Sequence, residues 1–145
     1  MTAAADPQIS IVIPIYNEEA ILHAAVVDLR ERLSPFGWRY EIILAENGSR
    51  DRTIELCEEL AARYPQVSFF STGQPGQGNY GKALQRGILR ARGEHVICDE
   101  IDLCDTDFYR HFRNRHHDCI KPRRTALVNR SRNSTSAIEA TRVAR

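Results

Sequence analysis

Acidic side chains recur where short apolar runs end. Pro14-Ile15-Tyr16-Asn17-Glu18 closes the run from Ile9, Glu46-Asn47-Gly48-Ser49-Arg50-Asp51-Arg52-Thr53 closes the run from Tyr40, and Asp99-Glu100-Ile101-Asp102 closes the run from His95. Carboxylates brought together repel unless a hard cation neutralises them, and magnesium or manganese on a diphosphate is the usual solution. A helix N-terminus following the second run favours an anion or a sugar hydroxyl. Taken singly, each acid is an ordinary solvated loop carboxylate. Three groups at corresponding places point to one acidic cleft.

The stretch Gly73 to Gly81 offers competing chemistry. Gly76-Gln77-Gly78-Asn79-Tyr80-Gly81 reads as G-x-G-x-x-G, with Asp99 18 residues beyond Gly81 where a dinucleotide-binding acid is expected. On that alternative the chain is a dinucleotide (NAD)-binding Rossmann module. The fingerprint belongs to a first strand–helix unit, however, and this one falls in the third. Gly76 to Lys82 also approaches a phosphate-binding loop, but Ala83 stands where the magnesium-binding Ser or Thr is needed.

The elements that must position these residues alternate. β-branched Ile9–Ile15 predicts a strand buried on both faces. Asn17 and the acids after it suit a helix start, and Ile21, Leu22, Ala25, Leu29 and Leu33 recur at helical spacing up to Pro35-Phe36-Gly37. Tyr40–Ala45, Val67–Phe70 and His95–Cys98 read as strands. Helical stripes Ile54, Cys57, Leu60, Ala61 and Ala83, Leu84, Gly87, Ile88, Ala91 lie between them. This βαβαβαβ order predicts an α/β fold, a mainly parallel sheet with helices on both faces and ligands at the carboxyl ends of its strands.

At these residues the chain resembles the family 2 glycosyltransferases of GT-A (Rossmann-like) fold. The family's pattern of P-x-Y-N-E, D-D-G-S-x-D-x-T, N-x-G-x-G-x-A and D-x-D is met in order by Pro14–Glu18, Glu46–Thr53, Asn79-Tyr80-Gly81-Lys82-Ala83 and Glu100-Ile101-Asp102. The likeness is greatest to the branch with dolichyl- and polyprenyl-phosphate sugar transferases. It implies sugar transfer from a nucleotide-diphosphate-sugar donor, with a lipid-linked phosphate as one acceptor class. It further implies that Pro14, Tyr16 and Glu18 flank the nucleotide, that Glu46 approaches base or ribose, and that Asn47 and Lys82 join the donor site. Glu100 and Asp102 would hold Mg2+ or Mn2+. The departures are Glu46-Asn47 for the paired Asp, Glu100 for the first Asp of D-x-D, and Ala83 for a glycine; Asp99 and Asp105 are alternative oxygen ligands. No catalytic base is assigned, since Asp105 and Asp107 are the only acids shortly beyond the motif.

Residues 1–109 carry 10 Lys and Arg against 17 Asp and Glu, a net of −7, whereas residues 110–145 carry 10 against 2, a net of +8. With few large apolar residues after Arg110, the reading is a nucleotide-sugar-binding half over 8–109 and an irregular, disordered basic tail over 110–145. On this reading the chain is truncated after D-x-D and is either inactive or a non-catalytic nucleotide-binding fragment whose tail meets a partner. A tail foreign to the family would explain the same shift in composition. Nucleic acid is disfavoured, because beyond Phe112 no aromatic is available to stack on bases. His95, His111, His116 and His117 with Cys104 and Cys119 lack the paired spacing of a zinc site. No membrane span or signal peptide is legible, and the four cysteines read as reduced thiols, so the expected location is cytoplasmic.

Overall fold

The computed structural model describes residues 6–102, 105–116, 125–128 and 140–142. In chain order the elements are β1 (Ile9–Ile15), α1 (Leu22–Leu33), β2 (Tyr40–Glu46), α2 (Thr53–Arg63), β3 (Val67–Ser71), α3 (Tyr80–Arg90), β4 (His95–Cys98), α4 (Thr106–His116), β5 (Thr125–Val128) and β6 (Ala140–Arg142). The sheet order is β3-β2-β1-β4-β5-β6. β1 runs parallel to both β2 and β4, pairing Ile9 with Tyr40 on one side and with His95 on the other; only β6 is antiparallel.

Strand alternation sorts the core into two layers. Ile9, Ile11, Ile13 and Ile15 face the same way as Ile42, Leu44 and Ile97, and they meet Leu22, Val26 and Leu29 of α1, Cys57 and Leu60 of α2, and Tyr109 and Phe112 of α4. Val12, Ile43, Ala45, Val96 and Cys98 face the other side and meet Ala83, Leu84 and Ile88 of α3. Helices thus cover both faces, as the sequence pattern predicts. Both layers are needed to bury β1, whose isoleucines and valine are all 3% exposed or less.

Two expectations are corrected. Asn17 does not cap α1, which begins at Leu22 after Ile21 without a side-chain cap; Asn17 instead takes a left-handed backbone, φ 51°, in the preceding turn. The irregular tail expected from Arg110 is, in its first part, the continuation of α4 to His116, and residues 125–128 and 140–142 are strands of the sheet. The helix escapes a sequence reading because its apolar stripe is narrow. Phe108, Tyr109 and Phe112 are interleaved with Arg110, His111, Arg113 and Arg115. The rest of the expected tail lies outside the described residues, as do Cys104, His117 and Cys119.

At the amino end of the sheet, buried Glu41 is held by three donors. Its Oε1 accepts the Ser10 hydroxyl at 2.6 Å and the Arg92 backbone N–H at 2.8 Å, while Oε2 accepts the Arg92 side chain at 3.0 Å. The Arg92 side chain is 64% exposed, so the ion pair itself is solvent-screened and weak. The buried donors dominate, because a donor left unsatisfied costs about 1–3 kcal/mol. Glu41→Ala is therefore expected to destabilise the fold by about 2 kcal/mol in urea unfolding, and Arg92→Ala by less than about 1 kcal/mol. Equal losses would show that the ion pair, not the buried oxygen, is what matters.

Candidate functional site

The order of β3-β2-β1-β4 reverses direction between β1 and β4, and in open parallel sheets the crevice outside the carboxyl ends at such a point receives ligands. The turn after β1 and the turn after β4 flank it. Tyr16 is 45% exposed there, Glu18 is part-buried, and Glu100 and Asp102 are both exposed.

The turn after β1 is fixed by the loop after β2 through a reciprocal set of hydrogen bonds. Asn17 N–H donates to Ser49 Oγ at 2.9 Å, and Arg50 N–H returns a bond to Asn17 Oδ1 at 2.8 Å. Glu18 N–H donates to Thr53 Oγ1 at 2.9 Å, and Glu19 N–H to Asp51 Oδ2 at 3.2 Å. Arg52 N–H donates to Glu19 Oε2 at 2.8 Å. Asp51 Oδ1 also takes the Thr53 N–H that opens α2, at 3.0 Å. Asn is among the few residues that adopt a left-handed backbone readily, and the two bonds to Asn17 hold it there.

Glu46 and Asn47 face inward. Glu46 is fully buried; its Oε1 accepts Ser49 N–H and its Oε2 accepts the Ser71 hydroxyl, each at 2.5 Å. Burial pushes the carboxyl up, but these donors and the Gly48 and Ser49 backbone outweigh it and hold the pKa below the ordinary value. Asn47 Oδ1 accepts Asn79 N–H at 2.6 Å, just before Asn79 Oδ1 caps α3 through Lys82 N–H at 3.0 Å. Gly78 lies so close to this loop that a Cβ there would fall 2.0 Å from the Asn47 carbonyl oxygen. Gly48, at φ 82°, makes the turn that lets Gln74 approach. Gly78 of the G-x-G-x-x-G stretch is thus taken up by contact with the β2–α2 loop. Asp99, the acid of the dinucleotide alternative and a substitute metal ligand, is 2% exposed and bonded to Tyr109, so it does not face the crevice.

The outward carboxylates are different. Burial, then the charges of Asp102 and Asp51, raise the pKa of Glu18. Tyr80, 51% exposed at the start of α3, has its phenol pKa raised by burial and then by neighbouring Glu100. Pro14 is part-buried at the end of β1, and Lys82 is exposed in the first turn of α3. Tyr16, Glu18, Lys82, Glu100 and Asp102 are therefore placed around the carboxyl edge, whereas Glu46 and Asn47 shape it from below. Ser71 and Tyr80 are participants the sequence reading missed. Their signal was only position, one at a strand end and one at a helix start.

Among the described residues no group of three His, Cys, Asp or Glu side chains is arranged to hold a metal. A cavity of about 670 Å3 lies at the opposite, amino end of β1 and β4, lined by Phe36, Trp38, His95, Phe112 and His116. Burial lowers the pKa of both histidines. That cavity is remote from the carboxylates.

Topology and switch-point geometry together define a Rossmann-like α/β domain. Residues 10–133 match the profile described as glycosyl transferase family 2. The chain belongs to that family, and the match runs past the charge break at 109/110. The uncharacterized glycosyltransferase YkcC of Bacillus subtilis is 32% identical over 100 residues, covering 68% of this chain and 30% of that protein. The dolichyl-phosphate beta-glucosyltransferase ALG5D of Trichomonas vaginalis is 33% identical over 99 residues, covering 65% and 30%. The chain thus spans about 30% of the length of these relatives. A crystal structure of S. aureus TarS 1-349 in complex with UDP-GlcNAc superposes with a TM-score of 0.54 at 20% identity, covering 76% of this chain and 32% of that chain, a likeness of fold.

The lowered Glu46 pKa makes stability depend on pH. Its folded value lies below the ordinary 4.5, so the carboxylate's contribution is complete above that pH and is lost as the pH falls through the folded value. Glu46→Gln, which cannot accept both donors, is expected to lose about 1–2 kcal/mol at pH 7 and to show a shallower acid decline than the parent. Melting curves from pH 3 to 7 on both proteins check this; parallel declines would mean that Glu46 is not among the groups whose protonation weakens the fold.

Proposed function

We propose that these residues bind the nucleoside-diphosphate end of a nucleotide-sugar donor for transfer of the sugar to an acceptor. The observation that carries this is that the turn bearing Tyr16 and Glu18 after β1 and the turn bearing Glu100 and Asp102 after β4 leave adjacent parallel strands at the switch point, in a chain of glycosyl transferase family 2. Tyr16 and Pro14 flank the base, and Lys82 lies toward the phosphates from the first turn of α3. Glu46 and Asn47, placed in the donor site by the sequence alone, are assigned here to holding the loops that shape the pocket.

Glu100 and Asp102 are the residues that would hold Mg2+ or Mn2+. Their donors are exposed carboxylate oxygens, hard ligands that suit these ions. Bound there, the cation supplies Lewis-acid stabilisation of the charge that builds on the departing nucleoside diphosphate. The chain's own contribution is to carry Glu18 on one turn and Glu100 and Asp102 on the other, at the ends of two adjacent parallel strands.

The acceptor is proposed from relatives by name: a dolichyl-phosphate glucosyltransferase and an undecaprenyl-phosphate 4-deoxy-4-formamido-L-arabinose transferase of Shewanella sediminis, 34% identical over 97 residues. A polyprenyl phosphate is the shared chemistry. No helix among the described residues is long and apolar enough to cross a membrane; a cytoplasmic location is part of the same proposal.

Titration with UDP, GDP and NAD, each with and without MnCl2, tests the donor reading. UDP or GDP is expected to raise the melting temperature, more so with manganese, because a ligand at 100 times its Kd stabilises by about 2.7 kcal/mol. Asp102→Ala should keep the metal-free shift and lose the manganese-dependent part. A shift with NAD alone, or none with UDP and GDP on a chain that melts cooperatively, overturns the proposal.

A further inference from the structure

Asp99 is a buried carboxylate one residue before the proposed metal-binding Glu100, and the turn it opens alternates. Asp99 is 2% and Ile101 6% exposed, on the side of α4, while Glu100 and Asp102 are exposed. The two inward residues anchor the two outward ones. Ile101 is anchored by apolar packing in the layer that holds Tyr109 and Phe112. Asp99 is anchored by polar bonds: its N–H donates to Val12 O at 3.0 Å, the last rung between β4 and β1. Its Oδ2 accepts the Tyr109 hydroxyl at 2.5 Å, and its Oδ1 accepts Glu100 N–H at 2.9 Å.

We propose that Tyr109 is a positioning residue for the Glu100–Asp102 turn, acting through Asp99. The metal clause of this inference rests on the donor reading above. Tyr109 is fully buried on α4, so its hydroxyl is a fixed point rather than a mobile donor. A buried carboxylate must be hydrogen-bonded to remain inside. With the phenol in place, Asp99 stays inward and its second oxygen fixes the Glu100 amide, which sets the direction in which Glu100 leaves the strand. Without the phenol the carboxylate loses a buried donor and is drawn toward water, and the Glu100 amide loses its acceptor. α4, which follows the acidic turn in sequence, thereby determines the geometry of that turn.

Tyr109→Phe keeps the ring and removes only the hydroxyl. Hydrogen exchange of the amides over 99–102 is expected to accelerate at least tenfold, with exchange in β1 and β2 unchanged. In calorimetric titration with GDP and UDP, the manganese-dependent gain in affinity should fall about 5- to 20-fold while metal-free affinity stays within twofold. Asp99→Asn, whose carboxamide accepts one of the two donors, should fall between the parent and Tyr109→Phe in both readouts, and it serves if Tyr109→Phe does not fold. Unchanged exchange over 99–102 in a folded variant overturns the proposal. So does a lowered melting temperature with the manganese-linked gain intact, since that is what a purely structural hydroxyl would give. If the parent itself binds neither nucleotide with manganese, the donor reading falls. The exchange result then decides the positioning role alone: acceleration supports it and its absence ends it.

Discussion

The constraint on which the site depends is the need to satisfy backbone N–H groups where two parallel strands end side by side. β1 and β2 stop together, and their continuing chains leave in left-handed or irregular conformations that cannot use ladder or helix bonds. Side chains take over this task. Asn17, Ser49, Asp51, Thr53 and Glu19 exchange bonds between the two loops, each fixing the other's backbone. Each neutral bond contributes only about 1 kcal/mol net. Two of the five are part-buried and three exposed, so the brace holds the loops through several small contributions made together. Because β1 also pairs with β4, fixing its end sets where the Glu18 turn stands beside the turn after β4.

Burial separates residues that a motif places together. Glu46 and Glu18 both follow strands and both belong to acidic motifs, yet one is sealed with both oxygens occupied and the other stands in a field of like charge. Donors outweigh burial at Glu46 and lower its pKa, whereas burial and neighbouring acids add up at Glu18 and raise it. The first environment stabilises a charge for structural use. The second leaves a charge seeking a counter-ion. The same division recurs after β4, where Asp99 is turned in and Glu100 and Asp102 are turned out.

Strands and helices up to β4 were legible because their signals are strong: β-branched runs of four to seven residues, and stripes ended by Pro35-Gly37 or by glycine. The acidic edge was legible because parallel topology sends every strand end to one side. What escaped was direction. Nothing in Glu46-Asn47-Gly48-Ser49 says that Ser71, 25 residues on, will meet the Glu46 carboxylate. Asn17 carries equally good signals for a helix cap and for a left-handed turn, and the loop after β2 decides between them. α4 was missed because aromatic residues carry its apolar face in a segment whose charge suggested a solvated tail.

The charge asymmetry between the two parts of the chain has a structural reading that does not need two regions. At its start the basic segment is the outer side of α4: Arg110 pairs with Asp107, and Arg113 lies over the Phe36 ring at 5.1 Å. The inner side, Tyr109 and Phe112, completes the layer over β1 and β4. A helix that covers a sheet while exposing cations departs from the acidic edge without departing from the domain. Glu18, Glu46, Asp51, Asp99, Glu100 and Asp102 lie at or after the carboxyl ends of the strands, where like charges are costly to hold together. That cost is tolerated where the fold holds the carboxylates separately: the brace fixes the turn that carries Glu18, and the Tyr109 hydroxyl on α4 holds Asp99 inward.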